Sequence, residues 1–350
     1  MKPAVSGGQD LTADYLSTAL AEHLEGNVVT AVNAVPVGTG QVSDSYRLHL
    51  TYGDPTALPA TLIAKVPAAS AASREAARAF RTYEIEASFY DQVASDLPVS
   101  LARCYYAAYD AGPDEYFVLL EDLAPASAGD QLKGLSITEA AAAICELAAL
   151  HAAGWESPQL ARLTWLNRAS PEGSALMAAV VTDLHPGFRD RYADRLEPDA
   201  TTVIGDFVSH VGDYLAAGDS QRTIVHGDFR ADNLLFGRAR PVVLDWQTCS
   251  FGAATGDLSY FLGSSLPVTD RQRHERALVR RYHTELASRG VQLSWEDCWD
   301  GYRRSAFNGI VMDIIAAMMV QRTERGDEMF AAMANRHARH AIDLGSLALI

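Results

Sequence analysis

A chain of 350 residues with 48% hydrophobic content and a formal net charge of −15 is long enough for two compact units and apolar enough to fold throughout. The acidic balance has the wrong sign for a phosphate backbone or an anionic bilayer, so neither nucleic acid nor membrane is an expected partner. Cys104, Cys145, Cys249 and Cys298 are scattered, with no CxxC pair and no zinc spacing, and the first 16 residues hold no apolar leader core; a reduced, cytoplasmic protein is the expectation.

Leu11, Tyr15, Leu16, Ala19, Leu20 and Leu24 recur at helical spacing, and Gly26-Asn27 ends that helix. Residues 28–37 alternate as a strand. The turn Gly38-Thr39-Gly40-Gln41-Val42-Ser43 follows, then a second strand over 46–51. By itself, Gly-Thr-Gly is also what a plain hairpin turn carries. A third strand over 60–67 contains Lys65 among apolar residues. Burying an unpaired ammonium is costly, so either Lys65 has an anionic partner or it faces solvent from an edge strand. A helix is expected over 73–93. Glu86, Phe89, Tyr90 and Val93 fall at i, i+3, i+4 and i+7 on it, which puts Glu86 on the inward stripe. Glu84 points about 160° away, at ~100° per residue.

Residues 101–108 and 116–120 read as two more strands, and Glu121-Asp122-Leu123 precedes the break at Ala124-Pro125. The helix over 137–151 has one apolar stripe ending in His151, a core histidine by its place. Patterning is weaker from 155 to 220. Helices are expected over 171–184 and 201–215, with the charged run 189–195 as a solvated helix face. The most apolar candidate helix, 307–320, is broken by Asn308, Gly309 and Asp313 and is shorter than the ~18 residues of a membrane span. From 270 to the end the chain reads as helical, with helices over 271–288, 294–320 with a break near Asn308-Gly309, and 327–346.

The most informative stretch is 224–250, IVHGDFRADNLLFGRARPVVLDWQTCS. Two short apolar strands, 234–236 and 241–244, flank the turn 237–240. Such a hairpin puts Asp228 and Asn233 in the loop before the first strand and Asp245 just after the second. Carboxylate, amide oxygen and carboxylate form a hard oxygen set that suits Mg²⁺ on nucleotide phosphates. Downstream, Asp257 stands at the start of an apolar helix, as an N-cap would.

His226-Gly227-Asp228 with Asn233, followed by Leu244-Asp245-Trp246-Gln247, resembles the signature of the aminoglycoside phosphotransferase and choline kinase-like (ecdysteroid kinase-like) small-molecule kinases. The resemblance spans about residues 25–265 in the order loop, lysine, glutamate, hinge, base and metal ligands. It implies an α+β, two-lobed protein-kinase-like fold: a small N-terminal antiparallel-sheet lobe over 1–120, a hinge at 121–123, and a larger, mainly helical C-terminal lobe over 124–350, with ATP between the lobes. It further implies Asp228 as catalytic base and Asn233 and Asp245 as ligands of Mg²⁺. Lys65 would steady the α/β-phosphates, positioned by Glu86. Gly38, Gly40 and Ser43 would cover the phosphates, and the backbone of Glu121 and Leu123 would meet the adenine edge. Ser43 stands where a strict kinase loop has a third glycine. His226 is expected to organise the loop, Asp257 to steady it, and Arg230 to brace it or touch phosphate.

Asp245-Trp246-Gln247 departs from the Asp-Phe-Gly of protein kinases, and no Ser/Thr-rich activation segment follows, which argues against a protein substrate. No G-x-x-x-x-G-K-[ST], G-x-S-x-G or H-E-x-x-H is present. The expected activity is ATP/Mg²⁺-dependent O-phosphotransfer to a small-molecule hydroxyl, aminoglycoside-like or another alcohol. A nucleotide-binding regulatory module and a protein kinase are the alternatives.

Overall fold

The computed structural model describes residues 4–38, 42–112, 114–218 and 221–350. The chain forms two compact units: Met1–Asp96 with Leu101–Pro125 and Asp245–Thr248, and Leu97–Ser100 with Ala126–Leu244 and Cys249–Ile350.

The first unit is built on five antiparallel strands: β1 (Val29–Pro36), β2 (Ser43–Tyr52), β3 (Thr61–Pro67), β4 (Cys104–Asp110) and β5 (Glu115–Glu121), in the spatial order β1-β2-β3-β5-β4. Strand alternation decides what each face carries. On β3, Leu62, Ala64 and Val66 are fully buried and join Leu48, Leu50, Phe117 and Leu119 in a core sealed by Leu16 of α1 (Ala13–Ala19), Leu24 of α2 (Ala21–Leu24) and Leu20 between them. Ile63 and Lys65 therefore point to the opposite face.

The helix expected over 73–93 is two helices, α3 (Ala71–Phe80) and α4 (Thr82–Gln92). Arg81 between them adopts φ 58°, a left-handed turn with no glycine or asparagine to announce it. The strand expected from 101 starts only at Cys104, because Arg103 gives its carbonyl to the Glu121 N–H (2.8 Å) from outside the regular ladder.

The second unit is mainly helical. Its first helix, α5 (Ile137–Gly154), starts at a capping box: the Ser136 hydroxyl accepts the Glu139 N–H (3.2 Å) and the Glu139 carboxylate accepts the Ser136 N–H (2.8 Å). Among the described residues α5 alone is long and apolar enough to cross a membrane; 56% of it is buried within the protein. The helices that follow are α6 (Pro171–Arg191), α7 (Pro198–Val208), α8 (Val211–Ala216), α9 (Ala254–Ser265), α10 (Val268–Ser288), α11 (Trp295–Arg304), α12 (Asn308–Met319) and α13 (Glu324–Leu344). α6 runs on past residue 184 and absorbs the start of the charged run. The helix expected over 201–215 breaks at Ser209-His210, and the break expected near Asn308-Gly309 falls just before it, at a 3-10 turn, Ser305–Phe307.

Short strands frame the signature stretch. β6 (Ser127–Ala128), β8 (Leu234–Phe236) and β9 (Val242–Val243) form one sheet, and β7 (Arg222–Val225) pairs with β10 (Ser250–Ala253) in another. The β8–β9 hairpin pairs Leu234 with Val243 and Leu235 with Val242. A further bond from the Leu244 N–H to the Asn233 carbonyl (2.9 Å) fixes where the hairpin opens.

Candidate active site

In the first unit, the alternation of β3 turns Lys65 toward α4. Its Nζ lies 2.5 Å from Glu86 Oε1 and 3.0 Å from Asp245 Oδ1. Glu86 is buried, and its second oxygen accepts the Tyr116 hydroxyl at 2.5 Å. Burial opposes the lysine charge, but the two carboxylates outweigh it and hold the ammonium above the usual lysine range. Glu86 and Phe89 sit one turn apart on α4, and Phe89 stacks on Trp246 (4.0 Å between centroids, 6° between planes). Helix α4 thus fixes both Lys65 and the residue next to Asp245. Asp245 itself has φ 66°. For a non-glycine residue that conformation costs about 1–2 kcal/mol, and it persists because Lys65 and the Gln247 amide (3.3 Å) hold the side chain.

Of the turn residues, Gly38 has φ 75°, a conformation open to glycine. Ser43 is buried at the start of β2, opposite Pro67, and Gly40 lies outside the described residues. The Tyr83 hydroxyl of α4 donates to the Val42 carbonyl (2.6 Å), tying the exit of the turn to the helix that carries Glu86. Glu121 ends β5 and has already committed its N–H to Arg103, so a base-edge contact there would use its carbonyl. Leu123 is buried, and Asp122 between them is held by Arg47 at 2.7 and 3.2 Å.

In the second unit, the loop after β7 is organised by two buried side chains. His226 Nδ1 accepts the Asp228 N–H (3.2 Å), so Nε2 must carry the proton it donates to the Leu244 carbonyl (2.8 Å). Asp257 is not the N-cap of α9; Ala253 holds that position and makes no side-chain cap bond. One turn inside the helix, the Asp257 carboxylate instead accepts the N–H groups of His226 (2.6 Å) and Gly227 (2.9 Å), with His151 Nε2 at 3.3 Å. Burial would raise this carboxyl, but His151 and the loop amides hold it below the usual carboxylate range. A depressed carboxyl contributes stability that is present above its unfolded pKa and lost as pH falls through its folded one. Asp257→Asn should therefore flatten the acid limb of the unfolding curve below about pH 5 and cost about 1.5–3 kcal/mol at pH 7. An unchanged acid limb in pH-dependent urea titrations would contradict this.

The Asp228 carboxylate is surrounded by donors. Arg230 Nε lies 3.1 Å from both oxygens, the Tyr260 hydroxyl donates to Oδ1 at 2.7 Å, and Asn233 Nδ2 donates to Oδ2 at 2.9 Å. Arg230 also pairs with Asp232 (3.0 Å), so it braces the loop. Asn233 Nδ2 gives a second bond to the Asp228 carbonyl (2.9 Å). With the amide nitrogen held there, the amide oxygen is on the opposite side and keeps its lone pairs for another partner. Asn233 in the second unit and Asp245 in the first each offer a hard oxygen of the kind Mg²⁺ takes. Mg²⁺ takes one or two protein oxygens together with phosphate and water rather than a full protein cage, and among the described residues no group of three or more His, Cys, Asp or Glu side chains is placed to hold a metal ion.

Sequence reasoning missed Tyr116, which supports Glu86, and Tyr260, which touches Asp228. For Tyr260 a signal existed: it follows Asp257 by three residues on α9, hence on the same helix face.

A five-stranded antiparallel sheet with a lysine–glutamate pair against its helix, and a mainly helical unit carrying the His-Gly-Asp loop, are the parts of a protein-kinase-like α+β fold. Residues 38–294 match the model of the Ecdysteroid kinase-like family, and the chain belongs to that family. It is thereby a small-molecule kinase, a phosphotransferase with a hydroxyl acceptor. Among solved structures, the chain is similar to a choline kinase from Cryptosporidium parvum Iowa II, with a TM-score of 0.58 at 8% identity over 91% of this chain and 90% of that one. A putative aminoglycoside phosphotransferase from Ralstonia eutropha JMP134 gives 0.52 at 17% identity over 94% and 97%. The ADP-bound aminoglycoside phosphotransferase APH(2'')-Ib gives 0.50 at 14% over 89% and 95%. These likenesses concern the fold. No curated protein matches the sequence.

Proposed function

We propose that this protein transfers the γ-phosphoryl group of ATP to a hydroxyl of a bulky small molecule, with Asp228 as the base that orients and deprotonates the acceptor. The observation that carries this reading is the donor cage around Asp228, which fixes one carboxylate at the head of the loop while leaving the Asn233 amide oxygen turned away from it. Lys65, positioned by Glu86, steadies the α/β-phosphates, and Gly38, Gly40 and Ser43 contribute to covering them. The backbone of Glu121 and Leu123 meets the base. Asn233 and Asp245 hold Mg²⁺, which neutralises phosphate charge when bound.

The acceptor's size is suggested by a cavity of about 1210 Å³ in the second unit, bordered by Gly227 of the loop and Tyr260 of α9. This exceeds the ~300–1,000 Å³ of ordinary small-ligand sites, so a compact alcohol would leave most of it empty. Its walls mix Trp155 and Tyr214 with Asp297, Asp300, Arg222 and Arg304, which favours a polyhydroxylated or aminoglycoside-like molecule over a single point charge. Cys104, Cys145, Cys249 and Cys298 form no disulfide, in keeping with a reducing, cytoplasmic location.

The test is incubation with Mg·ATP and a panel of aminoglycosides, macrolides, sugars, sterols and choline, followed by ³¹P NMR. A new phosphomonoester resonance with one acceptor is expected. Mg·ATP binding without transfer to any member would favour a regulatory module instead, and transfer to generic proteins would favour a protein kinase.

A further inference from the structure

Asp228 is braced by Arg230 and Asn233 of its own loop, but its shortest contact comes from elsewhere, the Tyr260 hydroxyl on α9. We infer that Tyr260 is a positioning residue for Asp228, its phenol fixing the plane of the carboxylate that receives the acceptor proton. This rests on the base assignment just proposed and adds a residue to it.

Three observations carry the inference. Tyr260 stands three residues after Asp257, so one face of α9 grips the loop twice: Asp257 holds the backbone at His226 and Gly227, and Tyr260 holds the side chain at Asp228. The ring itself cannot swing. It is buried and stacked on His337 (5.3 Å, 26°), and His337 Nδ1 lies 2.8 Å from the Asp313 carboxylate. His337 is in turn pressed into two glycines, since a Cβ on Gly309 would fall 2.4 Å from its ring and one on Gly263 would fall 2.8 Å away. Finally, burial and then the neighbouring Asp228 push the phenol well above the usual tyrosine range, so it remains an O–H donor. A tyrosine serving only to fill space needs none of this alignment. A misplacement of about 1 Å at a reacting group can cost ~10²-fold in rate, which is the effect the phenol prevents.

The test uses water as the acceptor, since it is present in every assay. Phosphate release from Mg·ATP is measured for the parent, Tyr260→Phe, Asp228→Asn and the double variant. Tyr260→Phe keeps the ring stack and removes only the hydroxyl, so turnover should fall about 10–100-fold with the KM for ATP within about threefold. In the Asp228→Asn background the same change should cost less than about twofold, because the group it positions is gone. A parental rate for Tyr260→Phe, or an equal loss in both backgrounds, overturns the inference alone. A parental rate for Asp228→Asn overturns the base reading and the inference with it. Where release to water is too slow to rank the variants, crystal structures of the parent and Tyr260→Phe decide: a carboxylate turned from its parental plane supports the inference, and an unmoved one overturns it.

Discussion

Asp228→Asn is expected to lower phosphate transfer by about 10³-fold while leaving the Kd for Mg·ATP within about threefold, since general-base contributions run from ~10² to 10⁴. The substitution is nearly isosteric, so the loop should keep its shape through Asp257 and His226. What changes is chemistry. Asparagine accepts no proton from an alcohol, and its NH₂ group would face donors: Tyr260, the Arg230 Nε–H or the Asn233 amide. Arg230, 17% exposed in its side chain, would keep Asp232 as its carboxylate partner. Turnover with the acceptor found by the panel, measured beside nucleotide titration, separates the two quantities. Retention of more than half the parental rate with normal binding would remove Asp228 from the mechanism.

Lys65→Met is expected to cost about 3–5 kcal/mol of folding stability as well as nucleotide binding, the range for removing one partner of a buried ion pair. Methionine preserves the length and apolar stem but leaves Glu86, 1% exposed, and the partly exposed Asp245 without their shared cation. Burial already raises the Glu86 carboxyl, with Lys65 pulling the other way. Without the lysine that rise grows, and the folded state then holds a proton the unfolded chain has lost. A raised carboxyl makes stability fall as pH climbs above its unfolded value, so the deficit of Lys65→Met should widen between pH 5 and pH 8. Adding Glu86→Gln should recover part of the stability and none of the binding, because glutamine is neutral yet still accepts the Tyr116 hydroxyl. Urea titrations at several pH values together with ATP titration check all three statements. A pH-independent deficit would show that the ion pair is not its origin.

The parts of the protein legible in advance are those whose signal is short-range. The β8–β9 hairpin follows from two apolar runs around Gly237, and the inward phase of Glu86 from its i, i+3, i+4 spacing with Phe89 and Tyr90. The buried role of His151 follows from its place at the end of an apolar stripe. Where expectation and structure part, a competing interaction lies far along the chain. Asp257 reads as a capping residue from its place before an apolar run, yet it lies one turn inside α9 and its carboxylate serves a loop about thirty residues upstream, where two unpaired N–H groups would be costly to bury. The helix over 73–93 breaks at Arg81 although the apolar period continues through it, since a periodic pattern does not report a single residue's φ.

Sequence alone determined the class of chemistry. Asp228, Asn233 and Asp245 flank a hairpin that two apolar runs mark out, and strand alternation forces Lys65 off the apolar core face. Tertiary structure decided how rigidly those groups are held. Tyr116 reaches Glu86 across 30 positions, Tyr260 reaches Asp228 across 32, and Trp246 meets Phe89 from another part of the chain. The first and last of these contacts have no period or spacing that announces them, and the second is marked only by Tyr260 following Asp257 by three residues on α9. They arise because α4 and α9 each present consecutive turns to a different piece of backbone, and only packing specifies which piece that is.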